Sequence, residues 1–64
     1  GDARRAAQTA AYKAMYALAG HLKGYEDALR ALYAGDANRF ETLVEAWPDD
    51  VAAYIRRLSR PSFD

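Results

Sequence analysis

Isolated glycines and two prolines cut this chain into four short stretches, none long enough to bury an apolar face alone. The first runs from about Ala3 to Ala19 and stops at Gly20, a residue favoured just past a helix because positive φ costs it nothing. The second, Tyr25 to Ala34, opens on Glu26 and Asp27, which suit the positive end of a helix dipole, and closes at Gly35. Asp36 is placed to N-cap the third, about Ala37 to Trp47. Pro48 cannot donate the hydrogen bond of a continuing helix, so it forces a new start. Asp49 and Asp50 then fall in the first turn of the fourth, which runs to about Ser59 and is ended by Pro61.

Apolar spacing within the stretches is helical. Phe40, Leu43, Val44 and Trp47 recur at i, i+3, i+4 and i+7, and Val51, Tyr54, Ile55 and Leu58 repeat the pattern. Tyr25, Leu29 and Leu32 share a face of the second stretch, whose Glu26 and Arg30 are spaced for an i,i+4 ion pair. No run alternates as a strand would. The expectation is an all-α fold: a compact bundle of four short helices, approximately 3–19, 25–34, 37–47 and 49–59, with neighbouring helices packed through short connectors. Its core should join Phe40, Leu43, Val44, Trp47, Val51, Ile55 and Leu58 to Leu18, Leu29 and Leu32. With 64 residues there is room for one helical domain with a thin core, and the Gly1 start suggests a fragment of a longer chain.

The first helix is unusual. From Ala10 to Ala19 only Lys13 is charged, and a helix apolar nearly all round is normally covered on more than one side. Ala7, Ala11, Ala14, Met15 and Leu18 make a core stripe, while Ala3, Ala6, Ala10 and Ala17 line another side. Tyr12 and Tyr16 point about 100° or more away from that stripe and share a side with Arg5. Tyrosine and arginine are enriched at interface hot spots, so Arg5, Tyr12 and Tyr16 form a candidate interaction strip. Tyr25, Tyr33 and Tyr54 read instead as caps on the thin core.

Chemistry for catalysis is sparse. No cysteine is present, and His21 is the only histidine, which excludes disulfides, thiolate zinc sites and multi-histidine metal sites. Thr9, Thr42, Ser59 and Ser62 have no base at a telling distance, and the two serines lie near an end expected to fray. Glu41 with Glu45 reads as solvated surface, and Asp49 with Asp50 as helix-start chemistry. His21, beside a helix C-terminus, reads as a favourable partial cation, or as a pH-sensitive contact. The glycines are isolated and form no phosphate loop. No enzyme activity, cofactor, metal or small-molecule substrate is expected, and no apolar run is long enough for a membrane span.

Nine basic and nine acidic residues balance in total but not along the chain. Residues 1–24 carry four cations against one acid, residues 25–50 two against seven, and residues 51–64 three against one. An up-down-up-down bundle brings the start of the first helix and the end of the last to one pole. Arg4, Arg5, Arg56, Arg57 and Arg60 would then form a solvent-facing candidate phosphate-contacting cluster. The leading expectation is a non-enzymatic interaction or accessory domain, docking to a segment of its parent chain or associating weakly with itself. The rival is a nucleic-acid-binding module built on the arginines.

Several segments together carry a family likeness. They are Ala10-Ala11-Tyr12-Lys13 with Met15 and Ala19-Gly20, then Gly24 to Ala28, Arg30 to Asp36, Arg39-Phe40, Trp47 to Val51, and Arg57-Leu58. The chain resembles, over about residues 5–58, the C-terminal region of a bacterial family, domain of unknown function 2239. Ala14 and Tyr16 depart from its pattern, where an aromatic and a small residue stand. The resemblance implies a cytoplasmic bacterial protein with a further segment upstream, one similar to a small DNA-binding element. It implies no catalytic residues. A designed chain built in the image of such a family, with no natural function, fits the same residues.

Overall fold

In the computed structural model, which describes residues 1–64, four α-helices follow one another and a short 3₁₀ turn closes the chain. They are α1 (Asp2–Ala19), α2 (Tyr25–Ala34), α3 (Ala37–Val44) and α4 (Asp49–Ser59), with the turn at Arg60–Phe63. At 1.5 Å per residue α1 spans about 27 Å, nearly the 30 Å length of the molecule. The expected all-α bundle is therefore present.

Local chemistry sets most boundaries. The Asp36 carboxylate accepts a hydrogen bond from the Arg39 backbone N–H at 3.1 Å, capping α3. Gly35 ends α2 at φ 72°, and the Gly35 and Asp36 amides donate to Leu32 and Ala31 carbonyls. Pro48 stands just before α4 with φ −53°. Gly20 departs from expectation: its φ is −59°, so it is not a left-handed cap. The left-handed residue of that connector is Gly24, at φ 85°, where the chain enters α2. Helix α3 is shorter than expected and stops at Val44, with Glu45–Trp47 in turns. Trp47 still reaches the core because those turns keep it on the same side as Phe40 and Val44. Its indole N–H donates to the Lys23 carbonyl at 3.0 Å, which ties the α1–α2 connector to the end of α3.

Eleven buried side chains form one core, and five of them are alanine: Ala11, Ala19, Ala28, Ala31 and Ala52. Small side chains let backbones approach, and the helix pairing follows them. Helix α1, with Ala7 and Ala11, lies along α4 with Ala52 and along the 3₁₀ turn; α2, with Ala28 and Ala31, lies against α3. Consecutive α3 and α4 are held further apart than the other chain neighbours, which departs from the expected packing of neighbouring helices; Phe40, Trp47 and Phe63 bring large rings to the core there. Met15, Leu32, Phe40, Val44 and Ile55 fill the centre, with Leu29, Leu43, Val51 and Leu58 partly buried around it.

Leu18 is not in the core; it is 41% exposed. The buried positions of α1 step by four, through Ala7, Ala11, Met15 and Ala19. Each step turns the core-facing direction by about 40°, so by the last turn it has moved about 100° from Leu18. The C-terminal end is also tighter than expected. Ser59 and Ser62 are buried and do not fray, their hydroxyls donating to the Arg56 and Ser59 carbonyls. Pro61 falls in the opening of the 3₁₀ turn, where a missing N–H is tolerated. The turn carries Phe63 back onto Phe40, ring centroids 5.1 Å apart and tilted by 49°.

Candidate functional site

Three contacts fix how the helices alternate. The Arg4 guanidinium lies so close to Gly35 that a Cβ there would sit 2.6 Å from it, placing the start of α1 at the end of α2. The Trp47–Lys23 bond joins the end of α3 to the approach to α2. Ala37 and Asn38, at the start of α3, share a depression with Arg60 and Phe63 beyond the end of α4. The up-down-up-down order holds, and Arg4, Arg5, Arg56, Arg57 and Arg60 belong to one pole of the bundle.

Their environments nonetheless differ. Arg4 leans on the C-terminus of α2, where a cation meets the negative end of the helix dipole. Arg5 lies on the outer face of α1, in a shallow depression with Asp2, Ala6, Thr9, Ala10 and Lys13. Arg56 is half-buried and does not face solvent freely as expected. Its Nε and Nη2 meet the two Glu41 carboxylate oxygens at 2.9 and 2.6 Å, and the hydrogen bond it donates to Glu41 raises its already high pKa. Arg57 and Arg60 are exposed and share a depression with Arg56 and Ala53. Neither Arg4 nor Arg5 lines that depression.

The strip on α1 is open. Tyr12 and Tyr16 are 37% and 69% exposed, their ring centroids 6.4 Å apart and tilted by 46°. Three turns of α1 outside the core stripe thus carry Arg5, Thr9, Tyr12, Lys13 and Tyr16 among exposed Ala6, Ala10 and Ala17. Tyr25 partly packs on the core as a cap should, but Tyr33 and Tyr54 do not, being 52% and 45% exposed. The Tyr25 phenol is held above its ordinary pKa, first by burial and then by the nearby Tyr12, Tyr16, Glu26 and Tyr33 groups. Tyr25 and Tyr33 lie two turns apart on α2, which packs against α1. The step of four from Tyr25 through Leu29 to Tyr33 puts the two rings on one side of α2, a spacing that also suits the caps expected of them.

Other expected positions are placed as follows. His21 is exposed in the α1–α2 connector. Arg30 pairs with Asp27 at 2.9 Å, not with Glu26, and Asp27 is also approached by Arg39 at 3.9 Å. Thr42 donates to the Asn38 carbonyl, one turn back on its own helix. No group of three or more histidines, cysteines or carboxylates is placed to hold a metal ion, and no helix is long and apolar enough to cross a membrane.

No curated protein and no solved structure matches this chain. A family match covers residues 1–59 and takes in all of α1 to α4 with the tyrosine strip and Arg56 and Arg57. The chain belongs to the family described as "Uncharacterized protein conserved in bacteria (DUF2239)".

Proposed function

We propose that this domain is a non-enzymatic helical interaction module whose contact surface is the outer face of α1, with Arg5, Tyr12 and Tyr16 as its anchors. The observation that carries the reading is the exposure of both tyrosine rings, side by side on a helix face that also carries Arg5, Thr9 and Lys13. Two adjacent rings present apolar area at little rotamer cost, and each hydroxyl can remain wet at the rim of a contact. Ala6, Ala10 and Ala17, on the adjoining side of α1, let a partner's backbone come close there. The partner is a second copy of the chain or a segment of a longer parent protein.

Sedimentation across a wide concentration range tests the self-association arm. The expected result is a reversible rise in mass that is lost in Tyr12→Ala and Tyr16→Ala, with the monomer's thermal unfolding nearly unchanged because both positions are exposed. A strict monomer at millimolar concentration removes that arm. The parent-chain arm is tested by amide exchange on a longer family protein, where α1 should be slowed relative to the isolated domain. Equal exchange in both removes it.

A further inference from the structure

Ala53, Arg56, Arg57 and Arg60 stand at i, i+3, i+4 and i+7, the spacing that gathers side chains on one helix face. They alone line a shallow depression of about 420 Å³ at the end of α4. The alanine methyl is short, so three guanidinium groups border a low floor. Arg56 is fixed by Glu41 through Nε and Nη2, while its Nη1 takes part in neither contact. Arg57 and Arg60 make no ion pair with any carboxylate of the chain. Glu41 and Asp64 line the adjoining depression, which Arg56 and Arg60 also border, but neither acid lines this one.

A helix dipole favours cations in the last turn on any face. Gathering them on one face adds i,i+3 and i,i+4 repulsion, which an anion held between them would remove. A carboxylate brings one charge and two oxygens, enough for one guanidinium fork. A diphosphate brings several charges and enough terminal oxygens to meet the Arg57 and Arg60 forks and the Nη1 of Arg56 together. The geometry points to a phosphate-binding site at Ala53, Arg56, Arg57 and Arg60 that takes a compact, multiply charged phosphate such as the diphosphate group of a small molecule. No aromatic or large apolar wall lines the depression, so the phosphate is recognised and the group attached to it is not. This site lies on a different helix from the tyrosine strip and does not depend on it.

The test is an NMR titration of the 64-residue chain with inorganic pyrophosphate, against sodium chloride at matched ionic strength. The expected result is a saturable shift confined to the α4 amides and the Arg57 and Arg60 side-chain N–H groups. Arg57→Gln and Arg60→Gln should each weaken binding about tenfold, as loss of a charge-assisted hydrogen bond does. Arg30→Gln removes the same charge from an exposed site on α2 and should leave affinity within about twofold. Shifts that match those of chloride, or an equal loss in Arg30→Gln, overturn the site and leave only bulk electrostatics. A parallel titration with a single-stranded oligonucleotide separates the sources of phosphate. Saturable binding of the oligonucleotide through α4, with none of pyrophosphate, overturns the compact site and assigns the face to a polynucleotide backbone.

Discussion

Helix α1 and the aromatic corner made by α3, α4 and the 3₁₀ turn are both apolar, yet they use apolar surface differently. The corner buries Phe40, Val44, Trp47 and Ile55 and packs Phe63 against them. Helix α1 gives the core Met15 and small alanines, and keeps Tyr12, Tyr16 and Leu18 in contact with solvent. The first pattern supplies most of the volume that holds the bundle together. The second supplies close backbone approach and an uncovered surface. Large side chains locate stability, and small ones decide which helices can touch.

The largest expected effect lies in the corner. Trp47→Ala removes a buried ring and leaves the Lys23 carbonyl without its donor, at a cost of about 3–5 kcal/mol. A domain of this size has little more than that in total, so the variant should be unfolded at room temperature by circular dichroism. Cooperative melting near the parent's temperature would show that the Trp47 contacts with the core are misassigned.

Phe63→Ala tests whether the C-terminal turn belongs to the corner. Phe63 is only partly buried, so the expected loss is about 1.5–3 kcal/mol, read as a lower urea midpoint. An unchanged midpoint would mean that the 3₁₀ turn is an appendage. The matching substitutions on α1, Tyr12→Ala and Tyr16→Ala, should by contrast alter association and leave stability within about 0.5 kcal/mol. A large loss of stability in either would erase the difference between the two regions.

Glu41→Gln addresses the polar tie between α3 and α4. Both partners are more than a third exposed, so solvent screening limits the pair to about 0.5 kcal/mol, and the difference should shrink further in high salt. A double-mutant cycle with Arg56→Gln isolates it. A coupling several times larger would mean that Glu41 and Arg56 fix the angle between the helices and do more than attract each other.

The smallest effect is confined to alkaline solution. The Tyr25 phenol has a folded pKa above its unfolded value of about 10. Its contribution is therefore complete below pH of about 10 and is lost as pH rises through the folded value, because the unfolded chain releases that proton first. Tyr25→Phe should flatten the alkaline fall in stability without altering it at neutral pH. A phenolate absorbance titration in which Tyr25 ionises with the exposed tyrosines would show that its burial against the core does not hold the phenol protonated.

The four α-helices and their order are legible in the residues alone. Asp36, Gly35 and Pro48 act on the backbone within a few residues of themselves, so the start of α3, the end of α2 and the start of α4 are readable without a fold. The stripes of Phe40 and Val44 on α3 and of Val51 and Ile55 on α4 are readable for the same reason, since one turn of helix sets each. The i,i+3,i+4,i+7 spacing of Ala53 with Arg56, Arg57 and Arg60 is equally present in the residues.

Tertiary structure decided what lies across the gaps between helices. Leu18 has the same local spacing as a core residue, but the drift of the buried stripe along α1 carries the core direction past it. Phe63 follows a proline that ends the regular helix, and only the packing of the turn on α1 and Phe40 brings it inside. The five arginines share a pole, yet Arg4 meets a helix end, Arg56 meets Glu41, and Arg57 and Arg60 meet neither. Capping and periodicity are set by neighbours in the chain. Burial and pairing are set by where other helices come to rest, which depends on the volumes of side chains far away in sequence.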